Sequence, residues 1–213
     1  MSASSGKLVA GTLVGIVDDE PSVRKALARL VTSAGYRVEV FASAREFLER
    51  PQQEDLSCLL LDVRMPGLTG LDLQEALAIA GRRLSIIFVS GHGDVVGSVR
   101  AMKGGAVDFL TKPIDARALL GAIERAVVRA STAKREQDGA VDVQGRLKSL
   151  TAREAQVFAL VVTGMLNKQV AADLGIVEKT VKVHRARVME KMRAGSLAEL
   201  VRLADRAGVI ARA

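Results

Sequence analysis

The chain has 213 residues and a mass of 22.6 kDa, more than one average domain of roughly 100–150 residues, so two domains are expected. Hydrophobic residues at 49% and charged residues at 26% exclude a disordered or collagen-like chain; no apolar run nears the ~18 residues of a membrane span, and residues 1–7 lack a secretory pattern, so a cytoplasmic protein with no membrane partner is expected. The single cysteine, Cys58, excludes an intrachain disulfide or a multi-cysteine zinc site, and the net charge of +7 lies wholly in residues 126–213, which hold 16 Lys and Arg against 9 Asp and Glu while residues 1–125 hold 15 of each.

In chain order, the first half alternates short apolar runs with amphipathic ones. Leu13–Val17 reads as a strand and Pro21–Ala34 as a helix with Pro at its favoured first position, ended by Gly35. A strand follows at Arg37–Phe41, and Ser43-Ala-Arg-Glu46 has the spacing of a capping box that opens the next helix. The apolar run Cys58–Leu61 suits a strand buried on both faces. A helix over 70–80, a strand at 85–89, a helix over 94–103, a strand at 108–111 and a helix from Asp115 complete five βα units. The expected fold is therefore α/β, a doubly wound five-stranded parallel sheet with its site at the carboxyl ends of the strands.

Residues 129–147 are polar with two glycines and read as a linker between a first domain at 10–128 and a second at 148–213. The upstream part of this segment can extend the preceding helix, since Leu120, Ile123, Val127 and Ala130 form a stripe that suits either packing on the sheet or a coiled coil. Beyond it the pattern is all α. Thr151-Ala-Arg-Glu154 is a second capping box, a short helix runs from Asn167 to Leu174, Gly175-Ile-Val breaks it, and a longer basic helix runs from Glu178 to about Met192 before a last one from Ser196. Short helix, tight turn with glycine and longer basic helix make the helix-turn-helix pattern.

Strand ends concentrate the chemistry. Asp18 and Asp19 follow the first strand and Asp62 the third, and adjacent strands would bring the three carboxylates together, where a divalent cation with oxygen ligands offsets their repulsion. Ser90 after the fourth strand adds a donor and Lys112 after the fifth adds a cation. A carboxylate nucleophile, Mg²⁺, a donor and an ammonium suit in-line phosphoryl transfer, in which positioning and charge neutralisation stabilise the transition state.

Asp18-Asp19, Asp62 in LDVRMPGLTG, Ser90 in FVSGHGD and Phe109 with Lys112 in DFLTKP resemble the flavodoxin-like receiver domain of two-component response regulators. The resemblance implies that Asp62 accepts a phosphoryl group from a sensor histidine kinase and that Asp18, Asp19, Asp62 and the Arg64 backbone carbonyl bind Mg²⁺. It also implies that Lys112 pairs with the phosphoryl oxygens, that Ser90 moves toward them while Phe109 turns inward, and that Lys112-Pro113 is a cis bond. His92 and Arg64 stand at positions that either shield the phosphoryl group or face solvent.

The segment from Ser149 to Met192 resembles the LuxR/NarL class of DNA-binding domains, and its wording is similar to the FixJ subgroup. On that resemblance Lys182 and Val183 read bases, Lys168, Thr180 and His184 suit phosphate contact with His184 equally a packing residue, and Lys179, Arg185 and Arg187 share the recognition helix. Val177 and Leu166 depart from the polar caps usual there, and apolar caps cost about 1 kcal/mol. The whole implies a transcription factor rather than an enzyme. Its expected partners are the kinase, double-stranded DNA, RNA polymerase and, once phosphorylated, a second copy of the chain. An aspartyl-phosphate hydrolase would carry a second Asp two residues after the nucleophile; Arg64 stands there.

Overall fold

The computed structural model describes residues 11–50, 56–91 and 95–209, so His92 lies outside the described residues. The chain divides near residue 133 into two units. In the first, strands β1 (Leu13–Val17), β2 (Arg37–Phe41), β3 (Leu56–Asp62), β4 (Ile86–Ser90) and β5 (Asp108–Thr111) pair in parallel in the order β2-β1-β3-β4-β5. Their crossovers are helices α1 (Pro21–Ser33), α2 (Ala44–Leu48), α3 (Gly70–Ile79) and α4 (Val95–Lys103), and α5 (Ala116–Lys148) follows β5.

Period-two alternation divides the strand side chains between two cores. Val14, Ile16, Cys58, Leu60 and Ile87 face one layer with Leu27, Val31, Leu119 and Ile123. Val17, Leu59, Leu61 and Phe88 face the other with Phe41, Phe47, Leu73 and Leu77. Each fully buried aliphatic or aromatic side chain contributes roughly 1.5–3 kcal/mol, so β1 and β3, apolar on both faces, anchor the sheet. Cys58 belongs to this interior: desolvation pushes its thiol up to about 12.

Two local devices aim β3 at the site. Thr69 caps α3 by accepting from Asp72 N, while the Asp72 carboxylate accepts from the Thr69 hydroxyl and backbone N–H, which holds it below its ordinary pKa. Gly70, the first helical residue, lies so close to the end of β3 that a Cβ there would sit 2.1 Å from the Asp62 carbonyl oxygen. Only glycine permits this approach.

Helix α5 does not stop where polar sequence begins. Its 33 residues pass through the whole of 129–147, including Gly139 and Gly145, rather than through the upstream part alone. Two glycines cost about 1 kcal/mol each in a helix, but their neighbours are mostly Ala, Arg, Lys, Glu and Gln, and Val143 is buried in the second core. The stripe with Ile123 and Val127 packs in the sheet's core.

The second unit adds α6 (Ala152–Val161), α7 (Asn167–Leu174), α8 (Glu178–Met192) and α9 (Leu197–Arg206) around Val157, Val161, Val170, Val181, Val188, Met192 and Leu200. Glu154 completes the Thr151 capping box and also accepts from the Lys191 ammonium at 2.7 Å, which ties the start of α6 to the end of α8. The Lys191 hydrogen bond, then the Thr151 contacts, hold the Glu154 carboxyl down at about 2. A carboxyl depressed on folding stabilises above its unfolded value, and that contribution is lost as pH falls from 4.5 toward 2. Wild-type protein should therefore exceed Glu154→Gln in denaturant resistance near neutrality, and the gap should narrow across that window. A gap independent of pH would assign the effect to packing.

Candidate functional site

The strand order brings the carboxyl ends of β1, β3, β4 and β5 to one rim, because β1 and β3 are neighbours although α1, β2 and α2 separate them in sequence. Asp18 lies just past β1, Asp62 and Ser90 end β3 and β4, and Lys112 lies just past β5. Asp18, Asp62 and Ser90 are buried, at 1%, 5% and 1% exposure. The Lys112 ammonium stands 2.8 Å from Asp18 Oδ2 and 3.0 Å from Asp62 Oδ1.

Charge balance explains why this cluster holds together. Burial pushes the Asp62 carboxyl above its ordinary value, with Asp18 adding to the rise, against the Lys112 contacts and the Arg64 N–H. For Lys112, burial favours the neutral amine, but its bonds and charge interactions with Asp18 and Asp62 outweigh that and hold its pKa above normal. One half-buried ammonium thus bridges two buried acids and offsets one of their two charges. The backbone tightens the rim: Asp18 Oδ1 accepts from Glu20 N at 2.8 Å, Asp62 Oδ2 from Arg64 N at 2.9 Å, and Ser90 O from Lys112 N at 2.7 Å. The Lys112-Pro113 bond is cis.

Other expected residues stand farther out. Asp19 is exposed next to Asp18, and among the described residues no three His, Cys, Asp or Glu side chains form a cluster that could hold a metal. Arg64 meets the site through its backbone N–H, and its side chain is exposed. Phe109 is half-buried beside Phe88, with ring centroids 6.3 Å apart. Arg24, which sequence reading did not single out, donates through Nη1 to the Asp18 carbonyl at 2.5 Å; its place one turn into α1 was the available signal.

In the second unit, Gly175 adopts the left-handed conformation (φ 64°, ψ 36°) that ends α7 and redirects the chain into α8. Lys168, Lys179, Lys182, Val183 and Arg187 are exposed, and Thr180 and His184 are half-buried. The Lys182 ammonium lies 3.2 Å from Glu178. His184 Nδ1 is buried without a hydrogen-bond partner. Arg185, by contrast, turns back to donate to Asn167 Oδ1 at 2.9 Å and fastens α8 to α7. Val177 and Leu166 occupy N-cap positions with no side-chain bond to the helix, but Gln169 accepts from Leu166 N and so supplies half a capping box.

Comparison with known proteins agrees with the division into two domains. Residues 14–124 match the response regulator receiver domain, and residues 148–204 match the bacterial regulatory proteins of the luxR family. Nodulation protein W of Bradyrhizobium diazoefficiens is 47% identical over 93% of this chain and 88% of its own. Transcriptional regulatory protein FixJ of Azorhizobium caulinodans is 44% identical over 92% and 93%. Among solved structures, response regulator StyR superposes with a TM-score of 0.82 at 43% identity, covering 92% of this chain and all of the StyR chain. Full-length FixJ from B. japonicum gives 0.58 at 40% identity over 95% and 100%.

Proposed function

This chain belongs to the FixJ-like response regulators, which join a receiver to a LuxR-type DNA-binding domain, and from that premise we propose that phosphoryl transfer to Asp62 switches its control of transcription. The observation that carries the proposal is the buried Asp62 carboxylate, 3.0 Å from the Lys112 ammonium at the carboxyl end of the sheet. An Asp62 oxygen attacks the phosphorus of a sensor kinase's phosphohistidine; a P–O bond forms as the P–N bond breaks, and the imidazole leaves with the electron pair. Lys112, already held as an ammonium, neutralises charge on the transferred oxygens, and Ser90 offers its hydroxyl at the same rim.

Asp18 and Asp62, bridged by Lys112, are oxygen-only donors of the kind a hard divalent cation takes, and Asp19, next to Asp18 in sequence but exposed, joins them as a third carboxylate only by turning inward. Such a cation, Mg²⁺ by this chemistry, would be held by Asp18, Asp19, Asp62 and the Arg64 carbonyl and would supply charge neutralisation to phosphoryl oxygens. Among the described residues no helix is long and apolar enough to cross a membrane.

The exposed face of α4 supports the next step. Val95, Val96, Val99 and Met102 are 72%, 83%, 50% and 47% exposed beside Arg100 and Lys103. Pulling Ser90 toward the phosphoryl group and turning Phe109 inward rearranges this face, and two phosphorylated copies pair through it. Paired second units then read two DNA half-sites about one helical turn apart and recruit RNA polymerase. Sedimentation should show a monomer that becomes a dimer with beryllofluoride, with a matching gain in duplex affinity. A persistent monomer that still gains affinity would sink the pairing step.

Contacts of α8 divide by chemistry. Lys182 and Val183 face outward on the recognition helix as base readers, with Lys179, Thr180, His184, Arg187 and Lys168 available to the backbone. On a duplex selected from a random pool, Lys182→Ala should lose about 1–3 kcal/mol of discrimination. Lys168→Ala should weaken all duplexes alike and reduce the salt slope by about 1. Equal losses on selected and random DNA for both variants would place Lys182 on the phosphates.

A further inference from the structure

Four of the buried polar side chains among the described residues already have roles: Asp18, Asp62 and Ser90 in the acidic pocket and Glu154 in the second unit. Of the two others, Gln74 is 7% exposed in the middle of α3 and reaches a different helix. Its Nε2 donates to the Ala101 carbonyl in the last turn of α4 at 3.1 Å. That carbonyl also accepts from Ala106 N at 3.1 Å, so the amide is a second donor where the helix already has its closing bond. The place is shaped for it: a Cβ at Gly104 would sit 2.6 Å from Gln74 Oε1 and 2.8 Å from Cδ. An exposed ion pair, Arg100 to Glu75 at 3.0 Å, joins the same two helices.

An apolar side chain would fill this interior position without desolvating an amide, and its loss would leave no orphaned carbonyl at Ala101. What the amide adds is direction, since a hydrogen bond restrains both distance and angle where apolar packing tolerates sliding. Two contacts of α3 give that restraint a meaning. Its first residue, Gly70, rests on the Asp62 carbonyl, and one turn later Gln74 grips the end of α4, whose outer face is the exposed apolar one.

We propose that Gln74 is a positioning residue that holds the C-terminal turn of α4 to α3 in the unphosphorylated protein and so sets how readily the outer face of α4 pairs with a second copy. This rests on the reading above that the α4 face is where copies pair. Loss of the restraint shifts the population toward α4 placements that phosphorylation otherwise selects. It also gives the acceptor a connection to α4 that bypasses Ser90 and Lys112.

The test uses the full chain with Gln74→Leu, and with Gly104→Ala as a second variant that displaces the amide by contact. Hydrogen exchange of the α4 amides should quicken about 3- to 10-fold, the range expected for one net hydrogen bond. The dissociation constant of the unphosphorylated dimer should fall by a similar factor, and the extra gain from beryllofluoride should shrink. Phosphoryl uptake by Asp62 from acetyl phosphate should match wild type. A filler role alone predicts unchanged exchange and unchanged dimerisation, and that result overturns the proposal. If wild type fails to dimerise with beryllofluoride, the pairing face is misassigned, and exchange rates alone then decide whether Gln74 restrains α4.

Discussion

Asp62→Asn should abolish uptake of a phosphoryl group from acetyl phosphate while leaving the protein folded. The amide lone pair is delocalised into the carbonyl, so the side chain retains its shape but has no nucleophile. Stability should be nearly unchanged or higher, because burial already penalises the Asp62 carboxylate and Lys112 keeps its bond to Asp18. Phosphate labelling read beside a melting curve separates the two effects. A labelled Asp62→Asn protein would mean that another residue is the acceptor, and an unfolded one would mean that the Lys112 pair is structural first.

The other large effect is steric. Gly70→Ala should destabilise the chain by about 3 kcal/mol, the upper end of the usual cost of overpacking. Helix propensity alone predicts the opposite sign, since alanine is favoured over glycine by up to about 1 kcal/mol. The added methyl would stand 2.1 Å from the Asp62 carbonyl oxygen, and it can be relieved only by moving α3 or the end of β3. Denaturant unfolding measures the sign directly, and a neutral or stabilised variant would show that this contact relaxes freely. A displaced β3 would also carry Asp62 away from Lys112, so slower phosphoryl uptake is expected together with lost stability.

Most of the architecture was legible because it is written in local patterns. The runs around Val17, Leu60 and Val89 are apolar enough to announce buried parallel strands, and an acid, an acid and a hydroxyl stand at their carboxyl ends. The Thr151 capping box and the break at Gly175 were equally local, whereas the cis Lys112-Pro113 bond was expected only from the family resemblance. What escaped the reading is pairing across distance. Glu154 and Lys191 are 37 residues apart, Gln74 and Ala101 are 27 apart, and Arg185 finds Asn167 across the turn, so no spacing rule connects them. Helix α5 escaped for another reason: glycine and polar composition describe a linker, whereas Val143 and Leu147 gain from burial only once the second core exists. The sharpest omission was Gly70, whose lack of a side chain matters because of the carbonyl opposite it.

The burial of Cys58 carries a practical consequence. It is the chain's only thiol, it is shut within the sheet, and its high pKa leaves almost no thiolate at neutral pH. Alkylation must therefore wait until the sheet opens, and the second unit has no cysteine to contribute a background. Labelling speed becomes an internal clock for opening of the first unit alone. Read against phosphoryl occupancy, that clock reports whether charging the acceptor tightens or loosens the sheet, without a dye, a tag or an engineered residue.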